Sequence, residues 1–393
     1  MKKIKIGFLN VPDHNWMGGV NYLKNLLYAI QFNNDTRLEP YVFVSNKYPG
    51  NIKKEYQKNA NVIVSSTLDR KGLFHYASLI IKRIFNSFSP VKRVLAKSGI
   101  QVLSHFSNQQ KLANVKQIGW IPDFQHLHLP QLFTDAEREK RDINYRKRIA
   151  NSDIMIFSSK DAYEDFKQFA PEFIHKGRVL NFVSQPDLSI FTMPEDYTDE
   201  VMKKYSIQEK YFFLPNQFWK HKNHLNVFKA VEILKKKGVE VQLICSGNMD
   251  APMTSENAEF LKDYIRKAGL DSQINLLGLI NFKELMLLAR NSISVINPSK
   301  FEGWSSTVEE CKSMGKNMIL SNIAVHLEQS PPGSLYVDPD DPEEIAQALQ
   351  KNWEELSPGP DIILEENAKE HLKSRTIKFA EQYEKIVEEV LSL

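Results

Sequence analysis

The chain has 393 residues, 42% hydrophobic and 25% charged, enough for two domains with separate cores. No uninterrupted apolar stretch approaches the ~18–20 residues of a membrane-spanning helix. The two cysteines, Cys245 and Cys311, have no metal-ligand spacing, which argues against a disulfide scaffold or zinc module and for a reduced, cytoplasmic setting. The net charge of +3 hides an asymmetry: residues 1–180 carry 28 Lys and Arg against 15 Asp and Glu, the remainder 23 against 33. A basic first half suits an anionic partner such as a membrane surface or a lipid-linked phosphate. The basic residues are scattered and form no recognised nucleic-acid module, and a solvated basic face is the plain alternative.

The first apolar run, Ile4–Leu9, reads as a strand, too short for a signal peptide and followed by no cleavage site. A segment of helical period follows, Val20–Ile30, with Leu23, Leu26, Leu27 and Ile30 on one face. Further runs lie at Tyr41–Val44, Val62–Val64, Val102–Leu103, Ile118–Ile121 and Ile154–Phe157. Between them, Phe74–Leu95 mixes apolar residues with Lys82, Arg83, Lys92 and Arg93. It fits a helix lying on an anionic membrane or a core-facing helix with a basic outer side. After the polar stretch Ser184–Asp199 the pattern restarts, with runs at Tyr211–Leu214, Val241–Cys245, Ile274–Leu277, Ile293–Ile296, Met318–Leu320 and Leu335–Val337. Helical segments between them include Leu225–Lys236, Phe260–Ala268 and Phe282–Ala289, and Thr376–Leu391 predicts a terminal amphipathic helix. Strands alternating with helices imply parallel sheets, so the fold class is α/β with two doubly wound units. Ligands of such sheets bind at the carboxyl ends of strands, and the chemistry is sought in the loops there.

One such loop holds Asn297-Pro298-Ser299-Lys300-Phe301-Glu302-Gly303-Trp304-Ser305-Ser306-Thr307-Val308-Glu309-Glu310. It follows the run Ile293–Ile296 and opens a helix to about Met314. Unpaired N–H groups at a helix start attract anions, and Gly303 admits a ligand close to the backbone. The alternative is that Glu309 and Glu310 only complement the helix dipole. A second loop, Pro215–His224, carries Gln217, Lys220, His221, Lys222 and His224; a lysine there would neutralise phosphate charge, while a solvated basic loop is the bland reading. A third, Trp16-Met17-Gly18-Gly19-Val20, puts two glycines at a helix start, suited to a phosphate or sugar or simply to a tight turn. A fourth, Ile121–Pro130, carries Asp123, His126 and His128. The sequence Asp338-Pro339-Asp340 resembles an Asp-x-Asp metal site but, before Pro342, reads as a turn and helix cap; no metal is expected.

Pro-Ser, two residues, Glu-Gly, then a second Glu after seven residues resembles the signature of family 4 of the retaining glycosyltransferases, with Glu302 and Glu310 at the two acidic positions. The likeness is close over residues 211–350 and traceable from 4 to 160. It implies the GT-B fold: two Rossmann-like domains facing across a cleft, an acceptor-binding domain 1–190, a donor-binding domain 191–375, and a helix 376–393 packing back toward the first. It implies transfer of a sugar from a nucleotide diphosphate sugar, a substrate and not a cofactor, to a sugar, glycan or lipid-linked acceptor, with retention of configuration and without metal. The setting implied is bacterial surface polysaccharide or glycolipid synthesis, cytoplasmic or peripheral at the inner membrane face. By the same likeness Glu310 would bind the ribose hydroxyls and Glu302 would lie near the transferred sugar. Backbone at Gly303, Trp304, Ser305, Ser306 and Thr307 would hold the diphosphate with Gly18 and Gly19. Lys222, with Lys220 behind it, would neutralise the leaving group, and Asp123 would orient a hydroxyl. The chain departs from the family at Gln217, where an Arg is usual and for which Arg290 or Lys300 would have to compensate. It departs again at Pro122, where a His is usual and for which His126 would stand in, and at Trp304–Thr307. These departures leave two alternatives: a non-catalytic sugar-nucleotide-binding partner subunit, or a sugar-nucleotide epimerase.

Overall fold

The computed structural model describes residues 3–9, 11–13, 16–69, 90–105, 111 and 115–393, without the side chains of 90–92. Most of the basic stretch Phe74–Leu95 lies outside the described residues. The chain divides into two compact units, 1–183 with 374–393, and 184–373.

The first unit is built on a parallel sheet of β1 (Ile4–Leu9), β2 (Leu38–Val44), β3 (Asn61–Val64), β4 (Val102–Ser104), β5 (Lys116–Ile121), β6 (Ile154–Phe157) and β7 (Gly177–Val179). Its order is β3-β2-β1-β4-β5-β6-β7. Register is pinned by pairs such as Ile6 with Pro40 on one side and with Val102 on the other. The second unit holds β8 (Phe212–Leu214), β9 (Leu243–Cys245), β10 (Ile274–Leu276), β11 (Ser294–Asn297), β12 (Met318–Ser321) and β13 (Ser334–Val337). Their order is β10-β9-β8-β11-β12-β13, again all parallel. Both orders follow the doubly wound 3-2-1-4-5-6 pattern, which reverses direction beside the first strand of each unit. The expected two Rossmann-like units are therefore present. β7 has no counterpart in the apolar pattern: three residues that include Gly177 and Arg178 make no apolar run to read.

The strands are apolar without alternation because both sheet faces are covered. Along β8 and the residue before it, Phe212 and Leu214 enter one core with Val227, Phe228 and Val231. Tyr211 and Phe213 enter the opposite core with Val295, Val308 and Met318. Burial of each such side chain contributes about 1.5–3 kcal/mol.

The terminal helix runs from Ile362 to Ser392, not from Thr376 as the periodicity predicts. Asp361 Oδ1 accepts from the amide of Leu364 at 3.0 Å, so the helix starts at this cap. Its first half is tied to the second unit by Glu365, which accepts from Arg290 at 2.8 Å. Its last part belongs to the first unit: Phe379, Ala380, Tyr383, Val387 and Val390 are buried, and Glu389 pairs with Arg178.

Candidate active site

In the second unit the sheet reverses between β8 and β11, and the two expected loops leave the carboxyl ends of those strands. Asn216, just past β8, donates to Asn297 Oδ1 at 3.1 Å. Asn297 closes β11 and donates in turn to Ser305 Oγ at 2.8 Å, while Ser299 Oγ donates to Asn297 Oδ1 at 2.7 Å. All four side chains are buried, so this chain of amides and hydroxyls fixes both loops. Asn223 adds a clamp, donating to the carbonyls of Pro298 and Pro339 at 3.1 and 2.7 Å. Its left-handed backbone, φ 59°, turns the loop into the helix His224–Lys236; asparagine tolerates that conformation better than most residues.

These constraints bring Lys222 and Glu302 together. Lys222 Nζ donates to Glu302 Oε1 at 2.5 Å, with side-chain exposures of 17% and 10%. Burial opposes ionisation of Glu302, but the Lys222 ammonium, helped by His326, outweighs it and holds the carboxyl at about 2. The site thus carries a formed ion pair at neutral pH. His221 and His224 are pushed down to about 4 and 3 by burial and by the nearby Lys222 charge, and His326 to about 4 chiefly by burial. All three are neutral at pH 7. His224 is a wall residue, stacked on Phe218 at 4.5 Å. His326 is held through Nδ1 by Ser321, and its buried Nε2 has no partner among the described residues.

The helix Ser306–Met314 begins beside this pair. Ser305 caps it, accepting from Val308 at 3.4 Å, and Gly315 ends it at φ 69°. Ser305 is committed to the framework: its amide donates to Gln329 Oε1 at 3.2 Å and its carbonyl accepts from Gln329 Nε2 at 2.9 Å. The amides of Ser306 and Thr307 have no acceptor among the described residues, as the first turn of a helix requires. Of the two expected phosphate-facing serines, Ser306 therefore presents an amide and Ser305 does not. Gly303 and Trp304 lie half-buried in the turn between Glu302 and Ser305. The adjacent glutamates separate by direction, since successive helix positions differ by about 100°: Glu309 is buried against Gln329, and Glu310 is half-buried.

Gln217 is exposed, and its Oε1 accepts from Asn248 at 2.9 Å, which leaves its Nε2 to donate. Neither cation considered as a replacement for the usual arginine is released for that task. Arg290 is paired with Glu365 and Lys300 with Asp340. Lys220 is exposed and lies 4.0 Å from Glu256. Asp338 and Asp340 make a turn, the amide of Asp340 donating to Asp338 at 2.8 Å. The helix cap is the next residue, Asp341, which accepts from Glu343 and Glu344.

In the first unit the sheet reverses between β1 and β4, where a cavity of about 270 Å³ opens, lined by Phe8, Trp16, Gly19, Tyr22, Ser104, His105, Trp120, Pro122 and Arg148 among others. Gly18 and Gly19 stand at the helix Met17–Phe32, as expected, but the room at Gly19 is taken by Trp16. A Cβ there would lie 2.5 Å from the indole, so this glycine seats a ring. Asp123 is not among the cavity's lining residues; its Oδ1 accepts from the amide of Gln125 at 3.0 Å and forms the turn into Gln125–His128. His126 and His128 are held by Asp142 and Asp165 at 2.9 and 2.8 Å. Sequence reasoning reaches Trp16 through the Gly18-Gly19 loop but misses Tyr22, His105 and Trp120. Its only signal there is position, since Trp120 and His105 lie at or just past strand ends.

The glycosyl transferases group 1 family matches residues 198–371. The O-antigen chain mannosyltransferase RfbU of Salmonella typhimurium is 28% identical over 181 residues, 46% of this chain and 47% of that protein; the likeness thus spans about half of the curated relative. Among solved structures, Anabaena Alr3699/HepE, in complex with UDP and glucose, is 16% identical with a TM-score of 0.68, covering 99% of this chain and 100% of that one. A glycosyltransferase from Rickettsia africae is 14% identical with a TM-score of 0.66, covering 100% of this chain and 98% of that one. These two likenesses carry the fold, GT-B with two Rossmann-like domains. Among the described residues no helix is long and apolar enough to cross a membrane. Residues 198–371 of this chain are thus similar to the glycosyl transferases group 1.

Proposed function

We propose that the protein is a retaining glycosyltransferase that binds a nucleotide diphosphate sugar in its second unit and passes the sugar to an acceptor hydroxyl. The observation that carries the reading is the Lys222–Glu302 pair set beside the unpaired amides of Ser306 and Thr307. A diphosphate needs a cation and oriented N–H donors, and here both stand at one switch point. Lys222 would leave Glu302 in part to neutralise the departing phosphate oxygens, doing the work a metal ion does elsewhere. Glu302 would then face the sugar hydroxyls, and Glu310 would take the ribose. The acceptor hydroxyl enters on the face the diphosphate leaves, and a departing phosphate oxygen takes its proton, so no side-chain base is needed. The remaining work is positioning.

The names of the relatives suggest the first donors to try, UDP-glucose and a nucleotide-linked mannose, and the O-antigen relative suggests a surface-polysaccharide acceptor, reached from the cytoplasmic side of the membrane. The test is a thermal-shift panel of UDP- and GDP-sugars with Glu310→Ala beside the native protein. A ligand at ~100 times its Kd stabilises by about 2.7 kcal/mol. A shift for one nucleotide class that Glu310→Ala loses supports the reading; no shift for any class sinks it. The anomeric configuration of the product then decides between retention and inversion.

A further inference from the structure

We propose that the cavity of the first unit receives a single hexose ring bearing an anionic group, a carboxylate or a phosphate, with Arg148 as its counter-charge. The proposal deepens the acceptor half of the function above and rests on that reading for the word acceptor, but the binding claim stands on the cavity's own residues. Its volume, about 270 Å³, is near the lower end for small-molecule sites and suits one ring rather than a chain of them.

Its walls are flat. Trp16 stacks on Trp120 at 5.4 Å and 17°, and Tyr22 stacks on Trp120 at 4.4 Å and 9°. Trp16 is 46% exposed, so a large apolar ring is left at the cavity with almost half its surface in water. The apolar C–H face of a pyranose covers such a ring. His105 lines the same cavity with both ring nitrogens engaged, Nε2 by Tyr22 Oη at 2.6 Å and Nδ1 by Ser104 Oγ at 2.9 Å. His105 holds a left-handed backbone at φ 55°, a conformation uncommon for a non-glycine residue and found more often at functional sites. Burial keeps its ring neutral.

Arg148 is then the permanently charged residue of the lining. It projects from the helix Asp135–Asn151, lies over the Tyr145 ring at 5.7 Å, and spends Nη1 on the carbonyl of Trp120 at 2.8 Å. Its Nε is buried without a partner, and no carboxylate pairs with it among the described residues. Three other half-buried arginines do have a carboxylate: Arg37 pairs with Glu384 and Glu388, Arg178 with Glu389 and Arg290 with Glu365. A guanidinium withdrawn from water is costly unless an anion answers it, and a carboxylate or phosphate on the ligand supplies that anion in a geometry guanidinium favours.

The experiment is calorimetric titration of the full chain with glucose, glucuronate, glucose 6-phosphate and inorganic phosphate, using native protein, Arg148→Gln, Arg148→Lys and Trp16→Ala. Native protein should bind at least one anionic sugar about tenfold or more above glucose, the size expected of one charge-assisted hydrogen bond. Whichever of glucuronate and glucose 6-phosphate gains more identifies the group. Arg148→Gln should remove the preference and leave glucose affinity in place, Arg148→Lys should restore part of it, and Trp16→Ala should weaken every sugar alike. Equal affinity for glucose and both anionic sugars overturns the proposal. So does an Arg148→Gln variant that weakens glucose as much as the anionic sugars, which would make the residue a support for Trp120 only. Inorganic phosphate binding as tightly as glucose 6-phosphate also overturns it, since the ring would then count for nothing. A parallel UDP titration keeps the two readings apart: failure to bind UDP or GDP counts against the donor site in the second unit and leaves these outcomes unchanged.

Discussion

The two units share one strand order, and each reverses it beside its first strand, yet they furnish that place in opposite ways. The second unit puts a lysine–glutamate pair and unpaired helix amides there; the first puts stacked rings, a neutral histidine and one arginine. Topology therefore fixes where a ligand can sit, and the few side chains on the loops fix its chemistry. The shared construction extends to struts. Lys176 in the first unit donates to the carbonyls of Ile149, Ala150 and Ser152, and Lys316 in the second to those of Arg290, Ser292 and Gly359. Both tie carbonyls at the end of a helix, as a cation should. Burial lowers both ammonium pKa values, that of the deeper Lys316 to about 7.

The largest expected contrast between the units is in acid. Histidines with lowered folded pKa values bind protons more readily unfolded, so their stabilising contribution is present above about pH 6.5 and is lost as pH falls toward the folded value. His221 and His326, held at about 4, would each withdraw up to about 3 kcal/mol between about pH 6.5 and 4, and His224 acts in the same sense. Among the described residues the first unit has one histidine so depressed, His105. Glu302 acts lower: its contribution is present above about 4.5 and is lost as pH falls through about 2. Hydrogen exchange read by mass spectrometry at about pH 7, 5.5 and 4.5 should show the second unit opening first. The first unit opening earlier would remove this asymmetry.

Lys222→Ala should come next, lowering the transfer rate by about 10²–10³-fold, the usual cost of removing one charge-stabilising donor. Lys222→Arg should recover part of it, and binding of sugars by the first unit should stay as it was. A transfer rate close to native would exclude Lys222 from the leaving-group role. Gly19→Ala sharpens the comparison from the other side. Its Cβ would meet the Trp16 indole at 2.5 Å, so Trp16 must shift, at about 1–3 kcal/mol. Sugar affinity at the first unit should fall. Ser305→Ala should cost about 1–3 kcal/mol of stability, because it removes the cap and leaves the buried Asn297 Nδ2 without its acceptor, read as a shift in thermal midpoint, with a modest loss of nucleotide affinity as the helix start loosens.

Much of the second unit is legible in sequence because its signals are local. A four-residue apolar run, a glutamate–glycine turn and a serine before a helix are written in consecutive residues, and Asn297–Glu310 reads almost as it folds. Spacing does not tell Glu309 from Glu310, since which of the two faces the core depends on Gln329, a distant partner on another helix. The terminal helix reads several turns short because its first turns bury Glu365 beside Leu364, Ala368 and Leu372, and because it starts from Asp361, whose capping role is a matter of geometry.

By itself the sequence determined the strands, the two restarting patterns and the loops in which chemistry would be found, because hydrophobic period and helix-end chemistry are properties of short segments. Only the tertiary structure decided which side chains meet. Lys222 finds Glu302 across 80 residues, Gln329 claims the amide of Ser305, and Glu365 claims Arg290 from the start of the last helix. Trp16 and Tyr22 come from the start of one helix, His105 and Trp120 from two strands' ends, and Arg148 from a later helix. They become one cavity only when β1, β4 and β5 lie side by side. Contacts at such sequence distances leave no periodic trace, because periodicity records only what neighbours along the chain share.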